Sequence, residues 1–131
     1  MKKEHTLLSL VGFVFFASLG NLFPEEQVAA WPRHTIDDSS RGADGVRLAD
    51  INGDGLMDIT TPWEEGGRVR VYLNPGPSRS KEKWPAVTVG EVGSPEDAVF
   101  VDLDGDGAVD VVSCCEGSVK TMWVHWAPKD A

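Results

Sequence analysis

The sequence predicts an all-β chain built from two similar units, and three observations lead there. The first is an internal duplication: at an offset of 52, Asp50-Ile51-Asn52-Gly53-Asp54-Gly55-Leu56-Met57-Asp58-Ile59 falls on Asp102-Leu103-Asp104-Gly105-Asp106-Gly107-Ala108-Val109-Asp110-Val111. The second is the character of the flanking segments, which are short, rich in β-branched and aromatic residues, and bounded by Gly- and Pro-containing turns. The third is the position of the duplicated runs themselves, acidic connections lying between two such segments in both units.

The N-terminus reads as an export signal. Lys2 and Lys3 precede an apolar run from Leu7 to Leu19, and Ser18-Leu19-Gly20 supplies a small-x-small pattern that places cleavage after Gly20. Val28-Ala29-Ala30 is a second such site. An uncleaved membrane anchor is the alternative, since Leu7 to Phe23 is just short of the ~20 residues of a spanning helix. No cysteine stands near the end of the signal, so a lipoprotein anchor is not supported. The expected organisation is therefore a signal helix over 1–20, a linker over 21–30, and repeats over 31–131, divided into 31–83 and 84–131.

The first unit predicts strands at Val46–Ala49, Met57–Thr61, Arg68–Leu73 and Ala86–Val89, the third with clear period-two alternation. At an offset of 53, Trp31-Pro32 falls on Trp84-Pro85 and Thr35-Ile36 on Thr88-Val89, so the repeat extends upstream of each acidic run. A period of this size with four strands per unit is the makeup of a propeller blade. The second unit repeats Ala98–Val101, Val109–Ser113 and Lys120–His125 and then lacks a fourth strand. The segment Arg33–Ile36 is the expected donor that completes it, giving two four-stranded antiparallel blades. Two blades do not close a ring of about four to eight. The chain is accordingly expected to be a fragment, a truncated product or part of an assembly that self-associates or needs further blades, with exposed sheet edges.

Charge directs attention to the acidic runs. In 131 residues Asp and Glu outnumber Lys and Arg by 21 to 12, for a formal charge of −9, and loss of residues 1–20 moves it to −10. No basic patch offers counterion release from phosphates, so nucleic acid is excluded as a partner, whereas clustered carboxylates attract hard cations.

Calcium takes about six to eight oxygen ligands, and a loop with carboxylates at alternate positions can turn them around one ion. The expected ligands are Asp50, Asn52, Asp54 and Asp58 by side chain with Leu56 by its carbonyl, and Asp102, Asp104, Asp106 and Asp110 with the carbonyl of Ala108. Gly55 and Gly107 stand at the turning positions. Two calcium ions are expected, because an all-oxygen set without His or Cys disfavours zinc and copper. An EF-hand would need Glu at loop position 12, about where Thr61 and Ser113 stand, and a helix on either side; strands flank these loops instead. Asn-Gly and Asp-Gly also favour hairpin turns without any metal. The agreement of two loops at every ligand position argues for the metal.

The Asp-x-Asx-x-Asp-Gly-x-x-Asp runs flanked by strands resemble the FG-GAP or VCBS repeats, over roughly residues 31 to 131. That family builds integrin-α-like β-propellers in which such loops bind calcium at a rim. The resemblance implies the same eight side chains as ligands and a role in adhesion, and the export signal implies a secreted, periplasmic or cell-surface location. Phe-Gly and Gly-Ala-Pro signatures are absent, and the blades are fewer than in family members.

The expected function is a non-catalytic, calcium-stabilised propeller module that binds an unidentified protein or glycan. A propeller enzyme acting on polysaccharides is the alternative, with little beyond His34 and His125 to support it. A third reading is a carbohydrate-binding propeller using Trp31, Trp63, Trp84, Trp123 and Trp126 as platforms, although two of these recur at equivalent positions and suit packing between blades. Cys114 and Cys115 are neighbours, pointing to opposite faces of a strand, so no disulfide between them is expected.

Overall fold

The computed structural model describes residues 29–129; the expected signal helix over 1–20 and most of the 21–30 linker lie outside them. From Pro32 onward the described residues belong to one compact unit. Among the described residues every regular element is a strand: β1 (Arg47–Ala49), β2 (Asp58–Trp63), β3 (Arg68–Tyr72), β4 (Ala86–Glu91), β5 (Pro95–Val101), β6 (Asp110–Cys115) and β7 (Met122–His125). None forms a helix long and apolar enough to cross a membrane.

The strands form two antiparallel sheets, β1-β2-β3-β4 and β5-β6-β7. The duplication extends to register. Ala49 pairs with Asp58 and Leu48 with Ile59, as Val101 pairs with Asp110 and Phe100 with Val111. One hairpin further, Ile59 pairs with Tyr72 and Val111 with His125, so the second unit has gained one residue between its last two strands.

Alternation along β3 decides what packs where. Val69 and Val71 point to one face and, with Ala98 of β5 and Val111 of β6, form the buried core between the sheets; Ile51, Val89, Val92 and Phe100 pack around it. Arg70 and Tyr72 point to the opposite face. There Trp63 Nε1 donates to Tyr72 Oη at 2.8 Å, Tyr72 Oη donates to Asp37 Oδ2 at 2.8 Å, and Arg70 pairs with Asp37 and stacks 5.9 Å from the Trp63 ring centre.

This second face corrects the expectation of a donated strand. Arg33–Ile36 is irregular, and the second sheet has three strands rather than four. The segment lies against the first unit instead: Trp84 N donates to Ile36 O at 3.1 Å, and the adjoining Asp37 is held by Arg70, Tyr72 and the Ser39 amide and hydroxyl. A nearly buried ion pair with a tyrosine hydroxyl attached fixes the position of that segment. His34, expected in a strand, is exposed on this irregular stretch.

Candidate metal centre

Each acidic loop is a hairpin connection. Asp50 follows β1 and Asp58 opens β2, as Asp102 follows β5 and Asp110 opens β6. The path between them turns on backbone conformations with positive φ, at Gly53 (74°) and Gly55 (84°) and again at Gly105 (76°) and Gly107 (93°). A Cβ at these residues would be strained although space is open, so the requirement is conformational.

The loops fold around their own first aspartate. Asp50 Oδ1 accepts from Gly53 N at 2.8 Å and Asp54 N at 3.2 Å, and Oδ2 accepts from Gly55 N at 2.9 Å. Asp102 repeats this with Gly105 N at 2.8 Å, Asp106 N at 3.1 Å and Gly107 N at 3.1 Å. Asn52 Oδ1 takes Asp54 N at 3.0 Å and Asp54 Oδ1 takes Leu56 N at 2.8 Å. Their counterparts, Asp104 on Asp106 N at 3.2 Å and Asp106 on Ala108 N at 2.9 Å, match in both atoms and order.

The consequence is convergence. Oxygens of Asp102, Asp104 and Asp106, all three exposed, lie within 4.8 Å of one another. Such a spacing suits hard oxygen donors around one cation, since two ligands at about 2.3–2.6 Å can be no farther apart than twice that distance. In the first loop Asn52 replaces one carboxylate and its Nδ2 donates to Asp54 Oδ2 at 3.1 Å. Lys129 Nζ stands 3.6 Å from Asp106 Oδ2 and offsets part of the second cluster's charge.

The last expected ligands are the more deeply buried ones. Asp58 and Asp110 are 0% and 2% exposed, and Asp110 is not in the converging group. Their oxygens accept backbone amides: Asp58 from Ile51 at 3.1 Å and Asn74 at 2.8 Å, Asp110 from Leu103 at 3.1 Å and Ala127 at 2.9 Å. Leu56 and Ala108 are half-buried and donate their amides within the loop.

A further acidic group was not visible in the sequence. Asp44, Glu64 and Glu96 bring carboxylate oxygens within 4.8 Å of one another where the β2 end meets β5. Desolvation, then a hydrogen bond that the protonated Glu96 carboxyl donates to Glu116, and the charges of Glu116, Asp44 and Glu64, push the Glu96 carboxyl up. The three belong to separate segments joined only by sheet packing, through Asp44 N to Pro62 O at 3.1 Å and Gly45 N to Glu96 O at 3.2 Å, so no local motif announces them.

The other candidate groups have structural surroundings. His125 Nε2 lies 2.9 Å from Ser113 Oγ, and burial lowers the imidazole pKa although a bond to the Val89 carbonyl opposes it. Ser113 is 1% exposed, which leaves its hydroxyl no approach to a substrate. Cys114 and Cys115 are free thiols on β6, and burial pushes the Cys115 thiol up, against nucleophilic use. Trp63 is buried and Trp84 Nε1 donates to Ser80 O at 3.0 Å, whereas Trp123 and Trp126 are exposed. Comparison of the chain with protein-family models, curated proteins and solved structures finds no match.

Proposed function

We propose that this chain is an exported, calcium-stabilised β-propeller repeat protein and acts as a non-catalytic binding or adhesion module. The observation that carries the reading is the convergence of the Asp102, Asp104 and Asp106 carboxylates, with the same amide pattern repeated in the first loop. Like charges at that spacing repel, and a divalent cation relieves the repulsion while satisfying the remaining lone pairs. Asp50, Asn52 and Asp54 hold one ion and Asp102, Asp104 and Asp106 the other, with the Leu56 and Ala108 carbonyls beside them. Asp58 and Asp110 complete the two sets with oxygens that also accept backbone amides, as those of Asp50 and Asp102 do. The metal is structural. Calorimetric titration of calcium into the chelator-treated full chain tests the reading, with two sites expected and no heat of binding the contrary result.

Carbohydrate binding is a second reading, favoured by one observation. A cleft of about 610 Å³ runs beside both acidic loops, bordered by Asn52, Ala108, His125, Trp126 and Lys129, and Trp126 is 59% exposed at it. An indole face with polar neighbours is suited to a sugar ring. A glycan array on the chain and on Trp126→Ala separates this from protein binding.

A further inference from the structure

The two sheets leave one apolar face uncovered, and the duplication identifies it. Pro62 pairs with Val69 and Thr60 with Val71 in the first sheet, as Cys114 pairs with Met122 and Val112 with Val124 in the second. These pairs hold equivalent register positions and so lie on the same face of each repeat. In the first repeat that face meets the second sheet: Thr60, Pro62 and Val69 are fully buried, and Val71 joins the core with Ala98 and Val111. In the second repeat the equivalent face is turned away from Val111 and Ser113, and no further sheet covers it among the described residues. Met122, the counterpart of the buried Val69, is 73% exposed, and Val99, the cross-strand neighbour of Val112, is 40% exposed. Val112, Cys114 and Val124 are half-buried between them.

We propose that this face, centred on Val112, is where two copies of the chain pair, sheet against sheet, in a closed two-fold dimer. The inference stands apart from the calcium reading. Val99, Val112, Cys114, Met122 and Val124 carry no charge, in a chain whose formal charge is −9. The charged groups at the border are already engaged, Asp97 with Arg47 and Asp110 with the Leu103 and Ala127 amides. A charged ligand would find nothing there to pair with, whereas a second apolar sheet face can interdigitate at a spacing of ~10 Å. The first repeat shows what such a face accepts, namely another sheet of this chain. Head-to-tail addition of a second copy would need the opposite face of the first sheet, the counterpart of the one that Val111 and Ser113 turn to the core. That face is taken, since Asp37 pairs there with Arg70 and accepts from Tyr72 over a buried Trp63. The open face is left to meet its own copy, and a self-complementary patch closes at two subunits instead of growing into a filament. Three short strands fall below the ~800 Å² per partner of a stable interface, so the dimer is weak and depends on concentration.

Sedimentation equilibrium of the full chain over a wide concentration range tests the proposal, and a monomer–dimer equilibrium is expected in chelator and in calcium alike. Met122→Glu places a charge at a site exposed in the monomer and sets like charges across the interface. It is expected to weaken the dimer about tenfold or more while the melting temperature of the dilute chain stays unchanged. Leu48→Glu, at a position 61% exposed on the other face of the first sheet, is the control and is expected to leave the dimer intact. A chain that is monomeric at every concentration overturns the proposal, and so do open-ended oligomers. A dimer that survives Met122→Glu, or that Leu48→Glu abolishes, overturns it equally by moving the contact elsewhere. Should Met122→Glu not fold, alkylation of Cys114 in the Cys115→Ser chain decides. Its rate is expected to fall as the chain is concentrated, and a rate independent of concentration refutes the dimer.

Discussion

The two repeats share their acidic loops almost atom for atom, yet they solve the rest of the sheet in different ways. Register makes the comparison direct: Thr61 pairs with Arg70 where Ser113 pairs with Trp123, and Ile59 with Tyr72 where Val111 pairs with His125. In the first repeat those positions carry an ion pair to Asp37 and a tyrosine hydroxyl bonded to Trp63 and Asp37, and β4 covers the next edge. In the second, Trp123 is 45% exposed, His125 bonds Ser113, and Met122 lies 73% exposed on an edge with no further strand among the described residues. What has been kept is strand, acidic loop, strand and the buried aspartate. What has diverged is the face and edge that a neighbour covers. The difference teaches that the loop is a transferable unit, whereas the surroundings of each sheet are specific.

The largest expected effect breaks the first repeat's distinguishing network. Arg70→Ala leaves Asp37 with a nearly buried charge and loosens the Trp63 stack; a loss of about 3 kcal/mol is expected by denaturant unfolding, at the low end for breaking a buried pair. The corresponding change in the second repeat, Trp123→Ala, removes a half-exposed side chain and is expected to cost about 1 kcal/mol. Equal losses would contradict the asymmetry.

Acid and base should separate the repeats next. Burial raises the Asp37 carboxyl, but bonds from Ser39, Tyr72 and Arg70 outweigh it and hold the group well below the usual carboxylate range. Its contribution is present above the unfolded value of about 3.9 and is lost as pH falls through the lower folded one. His125 is lowered from 6.5 by burial, so its contribution is complete above that value and declines as pH drops below it. The second repeat should therefore begin to lose stability at milder acidity. Chelated unfolding of the chain and of His125→Gln against pH checks this, and a profile unaltered by the substitution between pH 7 and 5 would sink it. At the other extreme Tyr72 is pushed up to about 12, first by burial and then by its bond to Asp37. Its neutral form supports the fold below about pH 10, and that support is lost as pH rises through the folded value.

Smaller effects sharpen the comparison of the loops. The second has a carboxylate, Asp104, where the first has Asn52, and should bind calcium more tightly. Titrations of Asp106→Ala and Asp54→Ala, each leaving one loop intact, read the two affinities, and equality would contradict the expectation. Lys129 competes for Asp106, so Lys129→Ala should raise affinity at the second loop slightly, within the ~1 kcal/mol of an exposed ion pair.

Much of the strand layout was legible because period-two alternation and β-branched runs are local signals, and the duplication doubled each of them. Arg68-Val69-Arg70-Val71-Tyr72 even encodes which face meets the other sheet. The placement of Arg33–Ile36 was not legible. Its likeness to the β4 segment is real in sequence, but Asp37 finds its partners on β3, more than thirty positions away. The hydrogen-bond partners of Asp58 and Asp110 were not legible either, since the amides that engage them, Asn74 and Ala127, belong to another turn. Asp44, Glu64 and Glu96 meet only through the packing of β5 on β2. Long-range polar contacts leave no periodic trace, and in each case one of them decided the outcome.

Thermal unfolding of the full chain with excess calcium and with chelator tests the central claim most directly. Stabilisation of about 2.7 kcal/mol per site is expected when free calcium stands ~100-fold above its dissociation constant, and it should vanish in a chain carrying Asp54→Ala and Asp106→Ala together. Melting curves that overlay with and without chelator would contradict it.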